Sequence, residues 1–189
     1  MAITVGFKRA TTAVLDEVGK LVSKHVVEGK QGKGGTTEAQ ITGLSSEAKK
    51  VFASNVAYYV SQKGVGDLQL ELSILDVPSA MQNDILGWVK NSEMGFTAVG
   101  DKTQPPYCAT LLESEDSAGE PVAFALFRGR FSREDLSLKT STDEAFEPEA
   151  EKLKMNCVAN DDGYSFGMAV GKEEVEKLKA YTFSETPAA

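Results

Sequence analysis

Two cysteines, one histidine and one tryptophan are all that the 189 residues hold of three chemically demanding residue types. Cys108 and Cys157 stand 49 positions apart and form no CxxC pair, which excludes a disulfide-stapled scaffold and suits a reducing compartment. His25 is the sole side chain of the usual general-base type, and His25-Val26-Val27-Glu28 lacks the spacing of a zinc-protease helix. Long apolar runs are also missing. No window approaches the roughly 18 apolar residues that span a bilayer, and Met1 to Gly6 does not resemble a signal peptide, so a soluble protein made inside a cell, without membrane insertion, is expected. Positive charge is in deficit: 20 Lys and Arg stand against 28 Asp and Glu, a net charge of −8. A tight nucleic-acid binder needs a basic stripe, and none is visible.

What the chain does have is period-2 alternation, the mark of strands with one buried and one wet face. In Asp67 to Ile74 four aliphatics alternate with four polar residues. Pro121 to Arg130 and Glu151 to Val158 alternate in the same way, and all three read as long antiparallel strands. Weaker candidates are Thr11 to Leu15, Thr37 to Ile41, Glu47 to Phe52, Asn55 to Ser61, Phe96 to Val99, Ala109 to Glu113, Leu136 to Thr140 and Tyr164 to Val170. Six strands are the safe expectation.

Two helices interrupt this pattern. The first is announced by Asp76 as a cap and Pro78 in the first turn, with Met81, Ile85, Trp88 and Val89 as its apolar stripe. The second runs from Glu173 to about Tyr181, acidic early and basic late, with Val175 and Leu178 as its buried side. Residues 18–36 and 141–150 show no period and read as long loops. The first loop carries Lys20, Lys24, Lys30 and Lys33 against Glu28 alone, whereas the excess acid falls in residues 96–189, which hold 18 acidic and 10 basic side chains.

The search for chemistry finds little. Gly32-Lys33-Gly34-Gly35-Thr36-Thr37 misses both the leading Gly and the Ser or Thr that a phosphate loop requires, and reads as a flexible linker. Cys157 shares a face with Leu153 and Met155 and reads as a small buried hydrophobe, while Cys108 is left open. Acidic pairs such as Glu113 with Glu115 read as solvated surface, and Asp161-Asp162-Gly163 as a hairpin turn. No catalytic, cofactor-binding or metal-ligating residue is assigned, and no cofactor is expected.

The chain resembles the major tail protein, or tail-tube subunit, of long flexible-tailed bacteriophages of Gram-positive bacteria. The likeness runs over most of residues 5–183. It rests on Val5-Gly6-Phe7-Lys8, on Gly66 to Leu72 leading into the helix that ends Asp84-Ile85-Leu86-Gly87, on Phe124-Ala125-Leu126-Phe127, and on the strand entered through Glu147-Pro148-Glu149-Ala150-Glu151. The resemblance implies a mainly β fold, an antiparallel β-sandwich or barrel with one flanking α-helix and a short C-terminal helix. One domain over 1–189 is expected; the Gly- and Lys-rich loop about 18–36 is longer than the resemblance implies, and a short flexible tail about 184–189 is expected at the end.

The resemblance further implies a structural virion protein without enzymatic activity, located in the virion tail and assembled in the host bacterial cytoplasm. Six copies would form a ring, and stacked rings a tube around the tape measure protein, with tail terminator and distal tail proteins at its ends. DNA would pass through transiently and without specific binding during genome ejection. Lys24, Lys30 and Lys33 are candidate contacts between rings, opposite Asp143, Glu144 and Glu147. Candidate lumen-facing residues are Gln69, Glu71, Ser73, Lys152, Lys154 and Asn156, the polar sides of the clean strands. The rival from another class is a β-sandwich module that binds a host surface or carbohydrate through its loops.

Overall fold

The computed structural model describes residues 4–30, 32–138, 140 and 148–183. Among them the chain runs through β1 (Thr4–Leu15), β2 (Leu21–Glu28), β3 (Thr36–Thr42), β4 (Lys49–Ala53), β5 (Val56–Ser61) and β6 (Gln69–Ile74). Helix α1 (Ser79–Leu86) follows, then β7 (Val89–Asn91), β8 (Phe96–Ala98), β9 (Tyr107–Asp116) and β10 (Pro121–Ser132). The chain then makes β11 (Glu151–Cys157), β12 (Phe166–Val170) and α2 (Lys172–Thr182).

Eight strands build one antiparallel sheet in the order β2-β1-β9-β10-β11-β6-β3, with β12 also paired to β10. The sheet curls until β3 comes back to β1, where the Thr36 hydroxyl donates to the Phe7 carbonyl at 3.2 Å. It does not close into a barrel, and its two halves face each other in the manner of a sandwich.

Alternation dictates what lies inside. Leu70, Leu72 and Ile74 of β6 are fully buried and meet Leu153 and Met155 of β11, Leu126 and Phe131 of β10, and Leu112 of β9. Each such side chain contributes about 1.5–3 kcal/mol by leaving water. Met81, Ile85 and Leu86 of α1 join the same core. On the opposite face of the sheet, Leu111, Ala123, Ala125 and Phe127 receive Val175 and Phe183, which seats α2 outside the roll. Lys179 of α2 also reaches Glu113 of β9 at 3.7 Å.

Several expectations need correction. The segment 18–36 is not one loop, because β2 occupies Leu21–Glu28. Its core-facing positions include Ser23 and His25, which bind Asp84 of α1, so polar residues break the alternation on the buried side. The Gly-rich string after it is a hydrogen-bonded turn: Glu28 N–H bonds the Lys33 carbonyl, and the Gly34 and Gly35 carbonyls accept from Asp76 and Leu75. Pro78, not Asp76, occupies the N-cap of α1, with no side-chain cap. The helix ends at Leu86, so Trp88 packs half-buried against the core from outside it and Val89 opens the exposed β7. Residues 136–138 form no strand, and Leu136 and Leu138 are exposed.

Asp161-Asp162-Gly163 is a turn but not that of a hairpin. The strands on either side, β11 and β12, do not pair with each other; they lie end to end along one edge of β10, opposite Gly129–Ser132 and Val122–Leu126. Asp143, Glu144 and Glu147 lie outside the described residues, as does the tail 184–189.

Candidate functional site

The most unusual surface is the β4–β5 hairpin between β3 and β6. Its neck is tight: Gly66 N–H bonds the Gly43 carbonyl at 2.8 Å, and Lys63 N–H and Gln62 Nε2 bond Ser46. Gly43 has φ +77°, and a Cβ there would lie 1.9 Å from the Asp67 carbonyl oxygen, so only glycine fits. At the tip, Ser54 and Asn55 both adopt positive φ, the conformation of a two-residue turn that matches strand twist.

Between neck and tip every residue of both strands is exposed. Val51, Phe52, Val56, Tyr58, Tyr59 and Val60 are 51–79% exposed. A two-stranded hairpin is marginal in water, and one that shows large apolar side chains to solvent has the character of a contact surface. A shorter hairpin, β7–β8, shows Val89, Met94 and Phe96 in the same way.

A second surface is polar. Alternation in β6 sends Leu70, Leu72 and Ile74 inward and leaves Gln69, Glu71 and Ser73 on the other face. In β11 the same rule exposes Lys152, Lys154 and Asn156. The register pairs Lys152 with Ser73, Lys154 with Glu71, and Asn156 with Gln69, so the six residues marked in the sequence share one face of the sheet; Ser73 is buried there, and the other five form the polar patch. Gln40 of β3 extends the Glu71 row, and Arg130 of β10 extends the Asn156 row. Lys152 Nζ donates to Glu71 at 2.6 Å, which raises the Lys152 pKa. Charge on this face is mixed in sign, and the chain's net −8 is not concentrated there.

Two of the three candidate lysines are engaged within their own molecule. Lys24 Nζ stands 4.4 Å from the Phe183 ring centre, and Lys30 Nζ donates to Glu28 at 2.9 Å. That hydrogen bond, followed by the charges of Lys30, Arg9 and Lys33 against an opposing effect of burial, holds the Glu28 carboxyl below its ordinary value.

The structure brings together one group that sequence spacing did not reveal. His25 Nε2 lies 2.8 Å from Asp84 Oδ2, and Ser23 Oγ donates to the same oxygen at 3.3 Å. A nucleophilic relay needs the imidazole to hold the serine through one nitrogen and the acid through the other. Here Nε2 faces both partners, the serine at 3.5 Å, so the geometry ties β2 to α1 and does not activate Ser23. Both cysteine thiols are pushed up to about 12, Cys157 by burial and Cys108 by burial with a further push from Asp84, which opposes thiolate chemistry. Among the described residues no cluster of His, Cys, Asp or Glu is arranged to hold a metal ion, and no helix is long and apolar enough to cross a membrane.

A curled antiparallel sheet, an exposed apolar arm and a broad polar face define a mainly β protein with a large uncovered apolar surface. A family model described as phage tail tube protein matches residues 1–179, and the chain belongs to that family. No curated protein matches the chain.

Proposed function

We propose that the protein is the subunit of a phage tail tube that works without a catalytic step: copies associate into rings of six, and the rings stack around a tape measure protein and later conduct DNA. The observation that carries this reading is the β4–β5 hairpin, eleven strand residues that are all exposed and hold six large apolar side chains. Such an arm is covered when it lies on a second copy, and association of one patch with a different patch generates rings or filaments. The mixed-charge face of β6 and β11 serves as the lumen wall in this reading, where paired charges such as Lys152 and Glu71 offer DNA no uniform field to adhere to.

Ring stacking through Lys24, Lys30 and Lys33 is a separate proposal, and salt distinguishes the two. Lysine–carboxylate contacts are screened over about 8 Å at physiological ionic strength and weaken as salt rises. Apolar contact between copies of net charge −8 strengthens, because salt screens their mutual repulsion. Negative-stain electron microscopy across a concentration and salt series, with light scattering on the same samples, tests both. Hexameric rings or hollow filaments are expected, more abundant at higher salt. Persistent monomers with tape measure protein present overturn the tube reading.

A further inference from the structure

Three of the four arginines have carboxylate partners: Arg9 with Glu28 and Glu113, Arg128 with Asp161 at 3.0 Å, and Arg133 with Glu151 at 2.9 Å. Arg130 has none within 4 Å among the described residues. Its guanidinium carbon stands 4.3 Å from the centre of the Tyr107 ring, and that of Arg128 stands 4.5 Å from the same ring. Two cations therefore share one aromatic surface, while Asp161, the acid that meets Arg128, is itself largely in solvent. Arg130 Nε is shielded from solvent and has no hydrogen-bond acceptor. The residue as a whole is only half-buried, so a partner can approach the rest of the guanidinium.

The backbone builds this arrangement. The β9–β10 register shifts between Leu126 and Gly129, and past the shift Gly129 stands opposite Cys108. Arg128 and Arg130 then fall on one face with Tyr107 beside them. A bulge that re-aims side chains is a common device at binding sites. The unfilled need is an oxyanion, since a guanidinium edge presents two parallel N–H donors that match the two oxygens of a carboxylate.

We propose that Tyr107, Arg128 and Arg130 form a carboxylate-binding site completed by an acidic side chain of a second copy of this chain. This rests on the self-assembly reading above. Charge complementarity favours that occupant: a second copy presents 28 acidic against 20 basic side chains, and this local cluster carries two cations with one exposed acid. Arg130 is also the direct neighbour of Asn156 on the polar face, where a bare cation would retain passing phosphates. Neutralisation by a neighbouring subunit removes that trap as the tube forms.

The test uses the full chain as Arg130→Lys, which keeps the charge and supplies an amine that carbodiimide joins to a touching carboxylate. Isotopically light and heavy copies are mixed, assembled and coupled, and cross-linked peptides are read by mass spectrometry. An amide between position 130 of one copy and an Asp or Glu of another is expected, together with about a tenfold rise in the concentration needed for assembly by Arg130→Gln, the scale of one lost charge-assisted pair. Thermal melts of both variants as monomers establish that they fold. Tubes that form without a coupling between copies at position 130, or that form as readily with Arg130→Gln, overturn this site and leave the tube reading intact. An Arg130-dependent stabilisation of the monomer by inorganic phosphate, without coupling, reassigns the site to phosphate and also overturns it. Failure of the wild-type chain to assemble removes both readings together.

Discussion

Thr12 and Thr110 face each other across the β1–β9 register, hydroxyl to hydroxyl at 3.2 Å, in a part of the sheet fully withdrawn from water. Each satisfies the other, with Thr110 also directed at the Met155 sulfur. Thr110→Val strands the Thr12 hydroxyl and is expected to cost about 1–3 kcal/mol. Thr12→Val combined with Thr110→Val removes both polar groups at nearly equal volume and is expected to recover most of the loss. A double-mutant cycle by urea denaturation reads the coupling directly, and strict additivity of the two single effects contradicts it.

Gly129 of β10 leaves no room for a side chain against β11. A Cβ placed there would lie 2.6 Å from the Asn156 carbonyl oxygen and 2.8 Å from the Met155 methyl. Gly129→Ala is expected to destabilise the monomer by about 1–3 kcal/mol, the usual consequence of overpacking a filled site. Chemical denaturation at low protein concentration measures it, and a neutral result means that β11 shifts freely.

Burial holds the two thiols protonated to about 12, from an ordinary value of 9.0, with Asp84 adding to the shift at Cys108. The folded protein binds these protons more tightly than the unfolded chain, so their contribution is complete below 9.0 and is lost as pH rises from 9.0 towards 12. Iodoacetamide at pH 8.5 is expected to label neither cysteine in the native protein and both in denaturant. Cys108→Ala with Cys157→Ala is expected to flatten the alkaline loss of melting temperature.

Glu28 works in the opposite direction. Its carboxyl is held low, chiefly by the hydrogen bond from Lys30, so the stabilisation is present above the unfolded value of 4.5 and disappears as pH falls through the lower folded value. The melting curves of wild type and Glu28→Gln are expected to converge in acid and to separate above pH 5. A constant gap at every pH tells against the assignment.

The hairpin separates folding from association. Phe52→Ser with Tyr59→Ser changes two exposed side chains, so monomer stability is expected to stay within about 0.5 kcal/mol of wild type. Filaments seen by electron microscopy are expected to disappear. Normal filaments from this variant remove the hairpin from the assembly contact.

Strands β6 and β11 were legible because each buries one face in a common core and leaves most of the other polar, which is the pattern that alternation detects, whereas β10 is apolar on both faces from Val122 to Phe127 because α2 covers its outer side. Strand β2 was hidden because Ser23 and His25 occupy its buried side and answer to Asp84, a partner 59 positions beyond His25 in the chain. The hairpin strands were visible as strands, but their exposure was not, because it depends on the fold packing nothing against Val51, Phe52 and Val60. Tyr107, Arg128 and Arg130 carried no local signal, since their meeting depends on where β10 slips its register against β9.

Because β11 and β12 occupy successive stretches of the same edge of β10, the chain leaves the sheet after Cys157 and returns to the same line at Phe166. Each strand is aligned on β10 by its own ladder, so neither depends on the length of what joins them. The joining segment is pinched at its base, where Asn160 N–H bonds the Tyr164 carbonyl at 2.8 Å, and its tip at Asp161 and Asp162 stands clear of the core. A change in the length of that detour is therefore felt first where Asp161 meets Arg128 and only afterwards by the two ladders, so an insertion at the tip would disturb contact between copies before it disturbs folding.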